Sequence, residues 1–179
     1  MTQNKDWFVS WFDTSYYHTL YKHRDHTEAQ SFIRILMGLL NFKKEASLLD
    51  LGCGKGRHSI YLNSLGYQIT GYDLSNNSIQ YAKQFENNRM KFKVHDMRDP
   101  FESKFDAVLN LFTSFGFFED DKEDIEVLQH IKNSLNSGGI TIIDFMNSKK
   151  VIAELIPREI VEIDGITFQI KRTLENGFI

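Results

Sequence analysis

A chain of 179 residues with 41% hydrophobic and 13% aromatic content can bury one sizeable core, and its length favours one domain over two. A formal charge of −3 and a pI near 6.1 exclude a global field for gripping phosphates, and basic pairs such as Lys43-Lys44 and Lys149-Lys150 are too short to form a nucleic-acid stripe. The single cysteine, Cys53, excludes an internal disulfide framework; Met1 to Trp11 lack a signal-like apolar stretch, and no apolar run approaches the roughly 20 residues that span a bilayer.

In chain order, an aromatic, histidine-rich arm from Trp7 to His26 precedes a helix whose Phe32, Ile35, Leu36, Leu39 and Leu40 recur at three-to-four spacing, with Thr27 and Gln30 as its capping box. From Ala46 onward, strands near 47–51, 67–72, 91–95, 105–111 and 139–145 alternate with helices near 57–65, 76–87 and 121–136. That rhythm predicts a parallel sheet covered on both faces. The last of these helices carries Ile125, Leu128, Ile131 and Leu135 on one face and is expected to stop at Gly138-Gly139; Ile140 to Ile143 then reads as a strand buried on both sides. Beyond it, Ile160 to Ile163 and Ile166 to Leu174 flank Asp164-Gly165, a hairpin signal, and Asn176-Gly177 announces a second turn. A turn with so little chain after it predicts a C-terminally truncated product. The fifth strand is then a sheet edge, open to a homodimer contact or to covering by the 160–174 hairpin.

The chemistry concentrates where the strand Ser47 to Leu51 runs into Gly52-Cys53-Gly54-Lys55-Gly56 and opens a helix. Glycines let the backbone approach a ligand closely, and the helix start offers unpaired N–H groups. Asp50 lies just before the loop. Asp73 ends the next strand in Tyr72-Asp73-Leu74-Ser75, where an acidic side chain can accept both hydroxyls of a ribose, and Ser75 is placed to cap the following helix. Cys53 fills a position that demands a small residue and reads as packing rather than as a nucleophile. The histidines, His18, His23 and His26 among them, show no metal-ligand spacing.

Across residues 46–148 this pattern resembles the class I, Rossmann-like, S-adenosylmethionine-dependent methyltransferases. It continues through Val94-His95-Asp96-Met97 and Phe105-Asp106-Ala107-Val108-Leu109-Asn110-Leu111-Phe112. The resemblance implies an α/β, doubly wound three-layer sandwich with five core strands in the order 3-2-1-4-5. It makes 1–179 a single domain, with a helical lid over 1–45, the cofactor-binding core over 46–148 and a β-hairpin over 157–179. It implies S-adenosyl-L-methionine as cofactor. Gly52, Cys53, Gly54 and Gly56 would pass it by backbone, Asp50 would help hold its amino group, and Asp73, beside Leu74, would bind ribose. Asp96 and Met97 would meet adenine, Asn110 or Leu111 would offer carbonyls near the amino acid end, and His58 would lie beside the cofactor. An arm folded over the site brings Tyr16, Tyr17, His23 and Arg24 to it. Phe112, Phe115, Phe117 and Phe118 wall the substrate pocket or belong to the core, the latter reading preferred for at least two of them.

No catalytic residue is identified, because a sulfonium needs mainly an in-line acceptor and a base only if the acceptor must lose a proton. Asn110-Leu111-Phe112-Thr113 departs from the Asn-Pro-Pro-Tyr type of many amino-group methyltransferases acting on nucleic acid or protein, which favours a small-molecule acceptor. Two rivals remain. A nicotinamide dehydrogenase would need glycine at 57, where Arg57 stands, and a non-catalytic S-adenosylmethionine-binding module would use the same loop. The expected setting is cytoplasmic, with no membrane or nucleic-acid partner.

Overall fold

The computed structural model describes residues 7–24 and 26–175; Asn176-Gly177 lies outside them. Two short helices, α1 (Trp7–Phe12) and α2 (Ser15–Leu20), and the longer α3 (His26–Leu40) precede the first strand. Then follow β1 (Ser47–Leu51), α4 (Arg57–Ser64), β2 (Gln68–Asp73), α5 (Asn76–Ala82) with a 3₁₀ turn at Lys83–Phe85, β3 (Met90–Val94) and β4 (Phe105–Asn110). After these come α6 (Asp121–Ser134), β5 (Leu135–Ile143), α7 (Ser148–Ala153), β6 (Arg158–Ile163) and β7 (Ile166–Lys171).

β1 to β5 form a parallel sheet in the order β3-β2-β1-β4-β5, as expected. The two-residue period of the strands sorts their side chains between the faces. Leu48, Ile69, Phe92, Ala107 and Leu109 pack under α3, α4 and α5 with Ile33, Met37, Leu62 and Ile79. Leu49, Leu51, Phe105 and Val108 pack under α6 with Val127 and Ile131. The chain leaves β1 toward β2 on one side and reaches β4 on the other, so a crevice opens above the carboxyl ends of β1 and β4, where open α/β sheets bind ligands.

Several expectations are corrected. α3 buries Ala29, Ile33 and Met37, whereas Ile35 and Leu39 are exposed, because the sheet accepts only one stripe of the helix. α3 also begins at His26, one residue ahead of the expected cap Thr27. In α6 the buried stripe is Val127, Ile131 and Ser134, and Ile125 and Leu128 face outward. That helix ends at Ser134 rather than at Gly138-Gly139; both glycines belong to β5, with Gly138 at φ +78° where the pairing with β4 shifts register between Phe105 and Ala107. β5 is not buried on both sides. Ile140 and Ile143 are exposed, while its place at the sheet edge among the described residues is as expected; the hairpin forms a separate two-stranded sheet. The hairpin turns at Asp164-Gly165, with φ values of +52° and +75° that this residue pair tolerates.

Among the described residues no helix is long and apolar enough to cross a membrane, and no group of three or more His, Cys, Asp or Glu side chains is arranged to hold a metal ion.

Candidate cofactor and substrate cavity

The loop after β1 is bent by backbone conformations that favour glycine: Gly52, Gly54 and Gly56 have φ of +79°, +54° and +80°. The N–H groups of Gly52 and Cys53 both donate to the Tyr72 carbonyl, at 2.8 and 3.0 Å, which draws the loop over the end of β2. There Asp73 accepts the Gly54 N–H at 2.7 Å on one oxygen and the Ser75 N–H at 2.8 Å on the other. A carboxylate has about four lone-pair positions, so these bonds leave it able to accept from a ligand as well. Burial raises the Asp73 pKa against these N–H bonds. Ser75 caps α5 by accepting the Ser78 N–H at 3.0 Å, as its sequence position predicts.

Above this loop lies a cavity of about 940 Å³. Its floor is Leu51 to Lys55, Asp73 to Ser75, His95 to Met97 and Leu111 to Ser114; its roof is the N-terminal arm. Aromatic contacts fasten that roof. Phe12 meets Phe117 with ring centroids 5.3 Å apart, Trp7 meets Phe117 at 5.8 Å and Phe8 meets Phe118 at 5.7 Å, all in edge-on geometry. Asp13 adds a polar clamp, accepting from Ser75 Oγ and, at 2.7 Å, from Asn77 Nδ2.

At the other end of the cavity, Phe112 and Thr113 adopt φ of +63° and +55°, a sharp turn held by Asp144. The Asp144 carboxylate accepts the Phe112 N–H at 2.9 Å and its carbonyl accepts the Thr113 N–H at 3.1 Å. The guanidiniums of Arg24 and Arg57 lie 4.7 and 4.9 Å from the centre of the Phe112 ring, and Glu28 pairs with both.

Of the residues expected at the site, Gly52, Cys53, Gly54, His58, Asp73, Leu74, Asp96, Met97, Leu111, Tyr17 and Arg24 line this cavity. Asp50, Gly56, Asn110, Tyr16 and His23 do not. Asp50 is buried beneath the loop, accepting from Ser59 Oγ at 2.5 Å, and burial pushes its pKa up to about 6. Gly56 serves packing, because a Cβ there would sit 2.8 Å from the Phe92 ring. Asn110 is fully buried, its side-chain Nδ2 donating to the Leu51 carbonyl at 2.9 Å and its backbone carbonyl accepting the Asp144 N–H. Tyr16 is exposed, since its neighbour Tyr17 takes the inward direction of α2.

Electrostatics divides the titratable groups of the wall. Burial would raise Asp96, but the Arg98 guanidinium, bonded at 3.1 and 2.6 Å, and the Arg98 N–H hold it below the usual carboxylate range. Burial, then the nearby Arg57, lowers His58 to about 4; burial and then Lys55 lower His18. Burial, reinforced by Tyr21, pushes Tyr17 up to about 12, so its hydroxyl is a donor at neutral pH. The Cys53 thiol is pushed well above its ordinary value by burial and by Asp50 and Asp73. Of the four phenylalanines after β4, Phe112, Phe117 and Phe118 line the cavity and Phe115 packs against the α6-side core. Sequence reasoning missed Lys22, Arg57, Met146, Val151 and Arg172 in the wall. Arg57 enters the sequence pattern only as a departure from a glycine spacing, Met146 follows the last core strand and carries no motif, and Val151 and Arg172 lie beyond the nucleotide-binding unit that the pattern delimits.

A family model described as a methyltransferase domain matches residues 48–139. A Bacillus subtilis protein named as the methyltransferase YqeM is 33% identical over 118 residues, which are 64% of this chain and 47% of that protein. Glycine N-methyltransferase of Rattus norvegicus is 30% identical over 135 residues, 66% of this chain and 46% of its own. Among solved structures, an S-adenosylmethionine-dependent methyltransferase from Clostridium acetobutylicum shares the fold at a TM-score of 0.71 and 19% identity, over 90% of this chain and 68% of that one. The chain spans about half the length of these two curated relatives.

Proposed function

The chain belongs to the methyltransferase-domain family, and from that premise we propose that it binds S-adenosyl-L-methionine and directs its methyl group to a small-molecule acceptor. The observation that carries this reading is the Asp73 carboxylate. It is anchored by the Gly54 and Ser75 N–H groups at the end of β2, and it faces a 940 Å³ cavity that also meets the glycine loop.

The residues present fit such a cofactor. A Cβ at Gly54 would project into open space, so the loop leaves a cradle on the cavity side. Asp73 has acceptor positions for a ribose diol, Met97 and Leu74 offer apolar surface for a base, and Arg24 and Arg57 offer cationic N–H donors for a carboxylate. Bound there, the cofactor supplies an activated methyl group on a sulfonium centre. The chain's own contribution is then positioning and exclusion of water: the roof of Trp7, Phe8, Phe12 and Tyr17 encloses the site, and Tyr17, protonated, is a hydrogen-bond donor in its wall. His18 and His58 are both held toward the neutral form, leaving the wall without an added imidazolium charge at neutral pH.

A small-molecule acceptor is supported by the enclosing aromatic roof and by the formal charge of −3. The 30% identical glycine N-methyltransferase, named for an amino acid substrate, points the same way. The nicotinamide reading is not favoured, since the family and the relatives reported above are methyltransferases and Arg57 occupies the place of its third glycine. A cytoplasmic setting accords with the lone, buried cysteine.

Thermal unfolding with S-adenosylhomocysteine, S-adenosylmethionine and NAD in parallel tests the assignment, because a ligand that binds only the native state raises Tm. A rise with the adenosyl ligands alone, lost in Asp73→Ala, is the expected result. A rise with NAD, or one indifferent to Asp73→Ala, would overturn it. Transfer of labelled methyl to pooled small molecules, set against RNA and protein, then tests the acceptor class. Binding without transfer to any pool would leave the non-catalytic module.

A further inference from the structure

The β6–β7 hairpin is a sheet of two strands, and an isolated pair of strands is marginally stable in water. Its sides differ. Glu159, Val161 and Ile163 of β6, with their partners Ile170, Phe168 and Ile166, form the half-buried face, while Arg158, Ile160 and Glu162 point to solvent, Ile160 being 73% exposed.

The backbone has the same parity. The Arg172 N–H donates to the Pro157 carbonyl at 3.0 Å, so in an antiparallel ladder the hydrogen-bonded pairs recur at 159 with 170, 161 with 168 and 163 with 166. The N–H and C=O groups of Arg158, Ile160 and Glu162 therefore point away from β7, along an edge that no strand of the described residues pairs. Among the described residues neither Arg158 nor Glu162 takes part in an ion pair.

We infer that this edge is a homodimer surface on which β6 pairs antiparallel with β6 of a second copy, centred on Ile160. A two-fold axis through Ile160 sets Arg158 opposite the second copy's Glu162, Ile160 opposite Ile160, and Glu162 opposite Arg158. These three pairs are the ones whose backbone groups point outward, so each exchanges two hydrogen bonds, and register and hydrogen-bond parity agree without adjustment. Side chains of such pairs face one another on the same side of the sheet, which gives two Arg–Glu contacts flanking an Ile–Ile contact. The result is one four-stranded sheet in the order β7-β6-β6-β7. The opposite edge lacks this match: pairing β7 with itself about Gln169 sets Lys171 opposite Thr167, and an edge lysine discourages strand addition.

Sedimentation velocity across a dilution series, on the chain as it stands, tests the pairing. The wild type is expected to show a concentration-dependent species of twice the 20.9 kDa chain mass. Arg158→Glu puts like charges opposite each other twice and is expected to weaken the dimer by about tenfold or more. The exchange Arg158→Glu with Glu162→Arg restores both pairs and should recover wild-type association. Ile160→Pro removes an outward N–H without touching the ladder to β7, and should give a folded monomer whose Tm no longer depends on protein concentration. A wild type that stays monomeric throughout, an Arg158→Glu variant that dimerises as tightly as wild type, or a charge exchange that fails to recover association would each overturn the inference.

Discussion

Replacing Asp50 by asparagine should make the protein more stable above about pH 6. The carboxyl is only 1% exposed in the middle of the sheet, and burial, opposed by the hydrogen bond from Ser59 and reinforced by nearby Asp73, raises its pKa from an ordinary 3.8 to about 6. A native pKa above the unfolded one means that the contribution of this group is fully present below pH 3.8 and is lost as pH rises through 6. Roughly two pH units at about 1.36 kcal/mol each correspond to about 3 kcal/mol of destabilisation at pH 8. Asparagine keeps the shape and an oxygen for the Ser59 hydroxyl but carries no charge. Urea unfolding of wild type and Asp50→Asn from pH 4 to 8 gives a difference in which the other titrating groups cancel. That difference should climb in favour of the variant between pH 4 and 6 and level off by about 3 kcal/mol above its starting value. A flat difference would refute the argument that the charge is held against burial.

His58 behaves with the opposite sign: its pKa falls from 6.5 to about 4, so its contribution is present above pH 6.5 and lost on acidification toward 4, by about 3 kcal/mol, and His58→Phe should flatten that acid limb in the same titration. Gly71→Ala would place a methyl 2.4 Å from Phe92 and 2.9 Å from the Cys53 sulfur, at a cost of about 1–3 kcal/mol. Combining it with Phe92→Leu should recover part of that loss in a double-mutant cycle, and strict additivity would show that the two positions do not compete for space. Phe112→Gly should be more stable than Phe112→Ala by about 1 kcal/mol, because both lose the ring but only glycine accepts φ +63° without strain; equal urea midpoints would count against a strained turn.

The sheet was legible because strands that are buried on both faces announce themselves as apolar runs and the βαβ rhythm leaves few topologies open. The ends of the elements were less so. Ile125 and Leu128 satisfy a helical period as well as Val127 and Ile131 do, and only the position of the sheet decides which stripe is covered. Similarly, the edge position of β5 follows from the expected strand order, but Ile140 to Ile143 reads by composition as buried on both sides, because composition does not report which face a neighbouring element covers.

Within the site, the sequence by itself determined the glycine loop and the acid at the end of β2. Left-handed turns demand glycine locally, and a strand-end acid lies at a fixed place relative to that loop. Tertiary structure alone decided how those residues divide their work. Gly56 makes room for Phe92, Asp50 and Asn110 sink beneath the loop, and Tyr17 rather than Tyr16 turns inward. Glu28 gathers Arg24 and Arg57 onto Phe112, and Arg172, more than a hundred residues beyond the glycine loop, closes the same cavity. Such contacts depend on which surfaces meet after folding, and no spacing along the chain encodes that.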